Sequence, residues 1–365
     1  MTPPDSEITV VIPHCNGVEI LRECLTSLFR STQLELRVIL VDNASTDNSR
    51  LMVAREFPAV QIIPLEHNLG FAGGCNAAIR VTTTPYLLIL NNDTLQVPGW
   101  IEHLLAKIKS DESIAVVQPK ILSYYNRDNF DYSGACGGEM DIFGFPFTRG
   151  RIITEIEKDS GQYDELTAHI FWASGTAFLA RTEVIRQAGM FDETFFAHME
   201  ELDLQWRIQL LNYRIAVEPR AVIYHRSGYT LGAESPYKKY LNHRNSLIML
   251  LANYRFLLTI YIFPLRLLLD YLALGFALIQ RDFGRVSGII KAHLWILLHP
   301  RLLWRKRRLV KKLRVMTDRQ ILECLYHGSV ALQFYLCRRR TFSELMKLKS
   351  FPKMNDRPNS PMGGS

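Results

Sequence analysis

The sequence predicts an α/β fold with a mostly parallel sheet, followed by a helical region that is both apolar and basic. Three observations carry this. Short β-rich runs alternate with helical segments over the first hundred residues. Those strand runs are apolar on both faces, as in sheets covered by helices on each side. Beyond about residue 236 the composition turns to long stretches of Leu, Ile, Phe and Tyr.

The elements follow in order. "ITVVIPH" starts the sheet, "EILRECLTSLFRST" reads as the first helix and "LELRVILVDN" as the second strand. In "ASTDNS", Ser45 or Thr46 is expected to cap the next helix, with Asp47 and Asn48 in its first turn. "VQIIPLE", a Gly-rich turn with its helix, and "PYLLILNND" complete the alternation. Residues 123–165, rich in aromatics and Gly, read as long loops or short hairpins. Strand or buried character returns over 169–181, and 200–211 is a helix. "YRIAVEPRAVIYHRSG" then reads as two short strands broken at Pro219.

Three regions result: an α/β domain over 1–235, a helical region over 236–350, and a polar, Pro/Gly/Ser-rich, disordered tail over 351–365. Arg255, Arg266 and Asp270 interrupt the apolar helices, leaving no uncharged run near the roughly 18 residues of a spanning helix. The expectation is of helices that lie on or dip into a bilayer surface. "RLLWRKRRLVKKLR" (301–314), with eight basic residues, would attract anionic lipid. Buried helices of an ordinary second domain, or one spanning segment around 256–280, are the alternatives.

A net charge of +7 over 365 residues is modest and concentrated in that one patch, so no nucleic-acid partner is expected. Six cysteines stand singly, without the spacing of a zinc site or the density of a disulfide scaffold, which fits a reducing, cytosolic setting. The N-terminus, "MTPPDSEITVVIPH", lacks the basic and apolar regions of a signal peptide.

Ligands of open α/β sheets bind at the carboxyl ends of the strands. Here those ends are polar: "PHCNG", Asp42-Asn43, "EHNLGFAGGCN" and Asn91-Asn92-Asp93. Asp42 can accept the N3–H of uracil or thymine, or simply cap a turn. "NLGFAGGCN" offers backbone amides near a helix start, suited to a diphosphate or ribose. It is not the GxGxxG of a dinucleotide-binding fold, which should follow the first strand. "NND" is an oxygen-rich cluster suited to a hard cation that also holds substrate phosphates.

"FFAHMEELDLQWRIQ" sets Glu200, Glu201 and Asp203 among aromatic and aliphatic residues. Carboxylates are rarely buried unless they are paired or functional. Adjacent helical residues point about 100° apart, whereas residues three apart share a direction. Glu201 is therefore expected to face a cleft while Glu200 or Asp203 pairs with Arg207, and the apolar surroundings should raise the pKa of the acid in the cleft. Trp172 in "FWASGTAF" is either an apolar platform for a sugar ring or a core residue, and Ser174 and Gly175 lie in the same stretch.

Six ordered motifs, "VVIPHCNG", "ILVDNASTDNS", "HNLGFAGGCNAA", "LLILNNDT", "FWASGTAFLARTEVI" and "FDETFFAHMEELDLQWR", resemble inverting glycosyltransferase family 2, in particular its rhamnosyltransferase-like bacterial members. The similarity covers roughly residues 8–235. It implies a GT-A (nucleotide-diphospho-sugar transferase) fold and a divalent cation, Mn or Mg. Pro13, Asn16, Asp42, Asn68, Gly70, Asn76 and Asn92 would bind the nucleotide. Asp93, Asn91 and His225 would hold the metal, "NND" standing where the family has DxD. Glu201 would be the general base, longer by one methylene than the family's usual Asp, with Glu200, Asp203 and Arg207 in support; Trp172, Ser174 and Gly175 would meet the sugar or acceptor. The donor implied is a pyrimidine nucleotide sugar, dTDP-rhamnose first and a UDP-hexose second. The acceptor is a lipid-linked glycan or polysaccharide of a bacterial surface, reached from the cytoplasmic face of the membrane. A catalytically silent, sugar-binding membrane scaffold of the same fold is the alternative, and a nucleotidyltransferase is disfavoured by the missing basic phosphate loop.

Overall fold

A computed structural model describes residues 6–167, 169–227 and 235–352. The alternation read from the sequence is present: β1 (Ile8–His14), α1 (Val18–Arg30), β2 (Leu36–Asp42), α2 (Ser49–Glu56), β3 (Gln61–Pro64), α3 (Gly70–Val81) and β4 (Tyr86–Leu90). Next come β5 (Thr94–Gln96), α4 (Trp100–Lys109) and β6 (Ile114–Ser123). The Gly- and aromatic-rich stretch forms a small antiparallel sheet of β7 (Gly138–Met140), β8 (Pro146–Thr148), β9 (Arg151–Ile152) and β10 (Glu155–Ile156). The domain closes with β11 (Ala177–Arg181), α5 (Thr182–Gln187), α6 (Glu200–Leu210) and β12 (Arg214–His225).

The main sheet has eight strands in the order β3, β2, β1, β4, β11, β6, β12, β5. Its β3–β2–β1–β4 half is parallel, β11 is antiparallel to both β4 and β6, and β5 is antiparallel to β12. Strand side chains alternate between two cores. Val10, Ile12, Leu40 and Leu88 face α1, whose Leu21, Cys24, Leu25 and Leu28 recur at helical spacing. Val11, Ile39, Val41 and Ile89 face α3 and α6.

One expectation is corrected. Arg214–His225 is a single strand, not two. Pairing with β6 jumps from Glu218–Pro119 to Val222–Lys120, so Pro219, Arg220 and Ala221 form a bulge with no partner there. A proline lacks the N–H that a ladder needs, and a bulge accommodates it without ending the strand.

The C-terminal region holds α7 (Pro236–Asn253), α8 (Phe256–Ile279), α9 (Phe283–Leu298) and α10 (Pro300–Leu313), then three short helices. The α8 helix is 24 residues long and is the one helix among the described residues long and apolar enough to cross a membrane. Its two charges, Arg266 and Asp270, are buried inward, Nε lying 3.3 Å from Oδ1. Arg266 donates to Ser246 Oγ of α7 and Phe143 O, and Asp270 lies 3.3 Å from His293 Nε2 of α9. Its outward face exposes Leu257, Ile260, Tyr261, Leu268, Leu272 and Ile279, beside Phe283, Leu294 and Leu298 of α9. Phe351, expected in a disordered tail, is buried against Tyr326 and Phe342. The rest of that expected tail, from residue 353, lies outside the described residues.

Candidate functional site

The carboxyl ends of β1, β2 and β4 form one edge, with His14 opposite Asp42 in register. Asp42 is buried; its Oδ1 accepts from the Ser45 amide at 3.3 Å, and Arg50 Nε lies 3.3 Å from its Oδ2. Asn16 builds the facing loop, its Oδ1 accepting from the amides of Thr46 (2.8 Å) and Asp47 (3.3 Å). Helix α2 starts at Ser49, later than expected, and the side chain that accepts from the Ser49 amide is Asp47, not Ser45 or Thr46.

The Gly-rich loop is held from two sides. Asn68 Oδ1 accepts from the Gly70 amide (2.8 Å), while Asn43 donates to Gly70 O (2.9 Å) and accepts from Leu69 N (3.0 Å). Gly70 has φ +70°, where a side chain is strained, and a Cβ there would lie 2.2 Å from Phe196 O, so the close approach of that carbonyl leaves no space for one. A Cβ on Gly74 of this helix would meet Pro13 Cβ at 3.5 Å.

Opposite, the antiparallel pairing of His225 with Thr94 brings the imidazole beside Asp93. His225 Nε2 lies 3.3 Å from Asp93 Oδ1, and its Nδ1 lies 2.9 Å from Asp131 Oδ1. Burial alone would lower the imidazole pKa, but the carboxylates of Asp131 and Asp93 outweigh it and push it up to about 10. All three side chains are buried, and Asp93 Oδ1 lacks a well-directed hydrogen bond among the described residues. A carboxylate fixing one imidazole nitrogen while the other faces a second carboxylate is an arrangement that suits a cation. Among the described residues no group of three or more His, Cys, Asp or Glu is placed to hold a metal unaided.

Asn91 and Asn92 differ from this pair. The Asn91 carbonyl accepts from Thr94 Oγ1, and buried Asn92 donates to His14 Nδ1 at 2.7 Å. His14 Nε2 then meets Ser49 Oγ at 2.8 Å, and Asp47 takes the Ser49 hydroxyl and the Gly17 amide. Through its bond to His14, Asn92 braces the strand ends.

Helix α6 carries the acids. Asp203 pairs with Arg207 (2.9 Å), as the i, i+4 spacing allows, and Asn253 of α7 donates to its Oδ1 at 2.8 Å. Glu200 is buried with Oε2 unpartnered among the described residues; Glu201, half-buried, also leaves Oε2 unpartnered. Burial, and then the neighbouring Glu201 charge, push the Glu200 carboxyl well above its usual range. Burial pushes Glu201 up to about 7, moderated by nearby backbone amides including that of Gly175. A Cβ on Gly175 would sit 3.7 Å from Glu201 Oε1 and 3.2 Å from the Phe71 ring, so the missing side chain keeps space open before the acid.

Three expectations change. Asn76 is buried and bonds Phe191 through both side-chain ends (2.9 and 3.0 Å) and also Glu193, so it secures the 191–193 loop to α3 and not a nucleotide. Trp172 is a core residue, 3% exposed, its Nε1 donating to Glu139 O and its ring in the space where Gly138 would need a Cβ. Ser174 is buried, donating to Thr176 Oγ1. His14, Asn43 and Asp131 were not singled out from the sequence. The first two sit at strand ends that were flagged as polar, whereas nothing in "NFDYSG" marks Asp131 as a partner of a residue 94 positions away.

Residues 9–187 match the model of Glycosyl transferase family 2. A pre-mycofactocin glycosyltransferase of Mycobacterium tuberculosis is 28% identical over 229 residues, 61% of this chain and 43% of that protein. This chain thus spans less than half the length of that relative. An N-acetylglucosaminyl-diphospho-decaprenol L-rhamnosyltransferase of the same organism is 25% identical over 245 residues, 63% of this chain and 79% of that protein. Among solved structures, GalNAc-T7 with UDP, GalNAc and Mn2+ superposes with TM-score 0.56 at 14% identity, over 71% of this chain and 50% of that one. The mannosyltransferase PcManGT from Pyrobaculum calidifontis, in complex with GDP-Man and Mn2+, gives 0.50 at 15% identity, over 84% and 85%. These likenesses identify the fold as GT-A.

Proposed function

Because residues 9–187 form a family 2 glycosyl transferase domain, we propose that the chain is an inverting glycosyltransferase that uses Glu201 as its general base. The observation that carries this is Glu201 itself: an acid on the first turn of α6, raised to about 7, with one oxygen unpartnered among the described residues and open space before it. An acceptor hydroxyl attacks the anomeric carbon of the donor from the face opposite the nucleotide. Its proton passes to Glu201, the bond from that carbon to the diphosphate oxygen breaks, and the nucleoside diphosphate leaves. Asp42, Asn16 and Asn68 would line the nucleotide end, where Arg50 Nε lies 3.3 Å from Asp42 Oδ2. Asp93 and His225 would hold a divalent cation, with Asp131 fixing the imidazole. A bound cation supplies positive charge against the leaving diphosphate.

The donor is proposed to be a pyrimidine nucleotide sugar, dTDP-rhamnose first, on the strength of the rhamnosyltransferase relative. A thermal-shift panel of dTDP-rhamnose, UDP-galactose, UDP-glucose, UDP-N-acetylglucosamine and GDP-mannose, each with Mn²⁺ or EDTA, tests it. A ligand at 100 times its Kd stabilises by about 2.7 kcal/mol, a rise of several degrees. One pyrimidine sugar should give an EDTA-sensitive shift; no shift from any donor would favour the silent scaffold.

The acceptor is proposed to be lipid-linked, met at the cytoplasmic face of a membrane. The exposed apolar face of α8 and α9 supports this, together with α10, which sets Arg301, Arg305, Arg308 and Lys312 around Leu302, Trp304 and Leu309. The buried Arg266–Asp270 pair fixes one side of α8 to protein, which favours lying on the bilayer over spanning it. Changing those four basic residues to Glu should weaken binding to anionic vesicles by roughly 10³-fold or more, at about 1 kcal/mol per charge, without affecting neutral vesicles. Equal binding by the two forms would sink the idea.

A further inference from the structure

Asn245 lies within α7, fully buried. Its Nδ2 is 3.0 Å from Phe195 O, 2.9 Å from Ala197 O and 2.7 Å from His198 O. An amide NH2 has two protons, so three carbonyls share them. Its Oδ1 accepts from Arg244 Nε at 2.9 Å, and Arg244 Nη2 donates to Thr194 O at 2.9 Å.

The carbonyls converge because the backbone turns left-handed at three non-glycine residues: Phe196 (φ 63°), His198 (66°) and Met199 (71°). Such conformations cost energy and persist only where the surroundings over-determine them. Two ends of the site meet in this loop. Phe196 O accepts from the Phe71 amide of the Gly-rich helix at 2.8 Å, and Met199, the residue preceding α6, accepts from Asp203 N at 2.9 Å. The next two residues are Glu200 and Glu201.

We propose that Asn245 is a positioning residue for Glu201: through three carbonyls, the helical region sets the loop that aims the base at the donor site. The C-terminal helices would then be part of the catalytic apparatus as well as a membrane contact. This rests on Glu201 being the base. Without the amide, Ala197 O and His198 O lose the Asn245 donor, while Phe195 O keeps the Ala197 amide (2.7 Å) and Arg244 Nη2 (3.2 Å). The 197–199 turn then relaxes, and a displacement near 1 Å at a reacting group can lower a rate about 10²-fold.

The test compares Asn245→Asp, which keeps the shape and removes the NH2, and Asn245→Ala with Ile289→Ala, a cavity at a fully buried apolar residue of α9. Turnover is read as nucleoside diphosphate release from whichever of the five nucleotide sugars stabilises the protein, and hydrogen exchange is read at the Phe71 and Asp203 amides. Both Asn245 variants should lower kcat roughly 10- to 100-fold with donor KM nearly constant, displace the pH-rate profile, and speed exchange at those two amides. Ile289→Ala, at a similar loss of Tm, should do none of these. Unchanged exchange and kcat in Asn245→Asp, or an equal loss of kcat in Ile289→Ala, would overturn the proposal. Glu201→Gln is run alongside: if it turns over like the parent, the base assignment itself fails; if it is inactive while Asn245→Asp is not, only the positioning role fails.

Discussion

Glu201→Gln is expected to lower kcat by roughly 10³-fold, within the 10²- to 10⁴-fold range of a lost general base, while nucleotide-sugar affinity stays near that of the parent. The amide matches the carboxylate in size and cannot take a proton. The buried pair also predicts a pH dependence. A base works only when deprotonated, so kcat should rise with pH and level off above about 7, the value to which burial raises Glu201. Burial, and then the Glu201 charge, push the Glu200 carboxyl well above its usual range, so Glu201 is the acid of the pair that ionises first. In Glu200→Gln the neighbouring negative charge can no longer arise, and the plateau should persist. Steady-state kinetics from pH 5 to 9 checks all three; a flat profile, or an active Glu201→Gln, refutes the assignment.

The second large effect concerns the other end of the donor. Asp93→Asn should weaken Mn²⁺-dependent donor binding by more than about 10²-fold, and Asp131→Asn by roughly 10- to 100-fold, the range for groups that orient a ligand imidazole. Asp131 would not touch the cation; it holds His225 Nδ1 at 2.9 Å and so settles which nitrogen faces Asp93. Titrating Mn²⁺ against donor-induced stabilisation separates the two variants. If Asp93→Asn leaves the Mn²⁺ dependence intact, the cation lies elsewhere or is not used.

Much of the fold was legible because its signals are local. Apolar runs ending in Asp42 or Asn91 can be read without knowing what lies across the sheet. The Asp203–Arg207 pair follows from helical spacing alone. What escaped was set by distant partners. Asn76 looks like a donor-loop residue in "AGGCNAA" until Phe191 is seen on both ends of its amide. Trp172 looks like a sugar platform until Gly138 makes room for its ring. Asp131 and Asn245 act across 94 and about 50 residues, and no short window of sequence contains both members of either contact.

The bulge in β12 has a geometric consequence for the site. Before it, Ile215 and Val217 face the core shared with α3 and α6; past it, Ile223 faces the core shared with α1, as does Ala221 at the last position of the bulge. Odd-numbered residues have changed sides, because three residues, an odd number, are inserted against β6. His225 is odd-numbered too. The parity of a short insertion around Pro219, some six residues upstream, therefore acts as a phase setting that decides whether the imidazole points towards Asp93 and Asp131 or to the opposite side of the sheet.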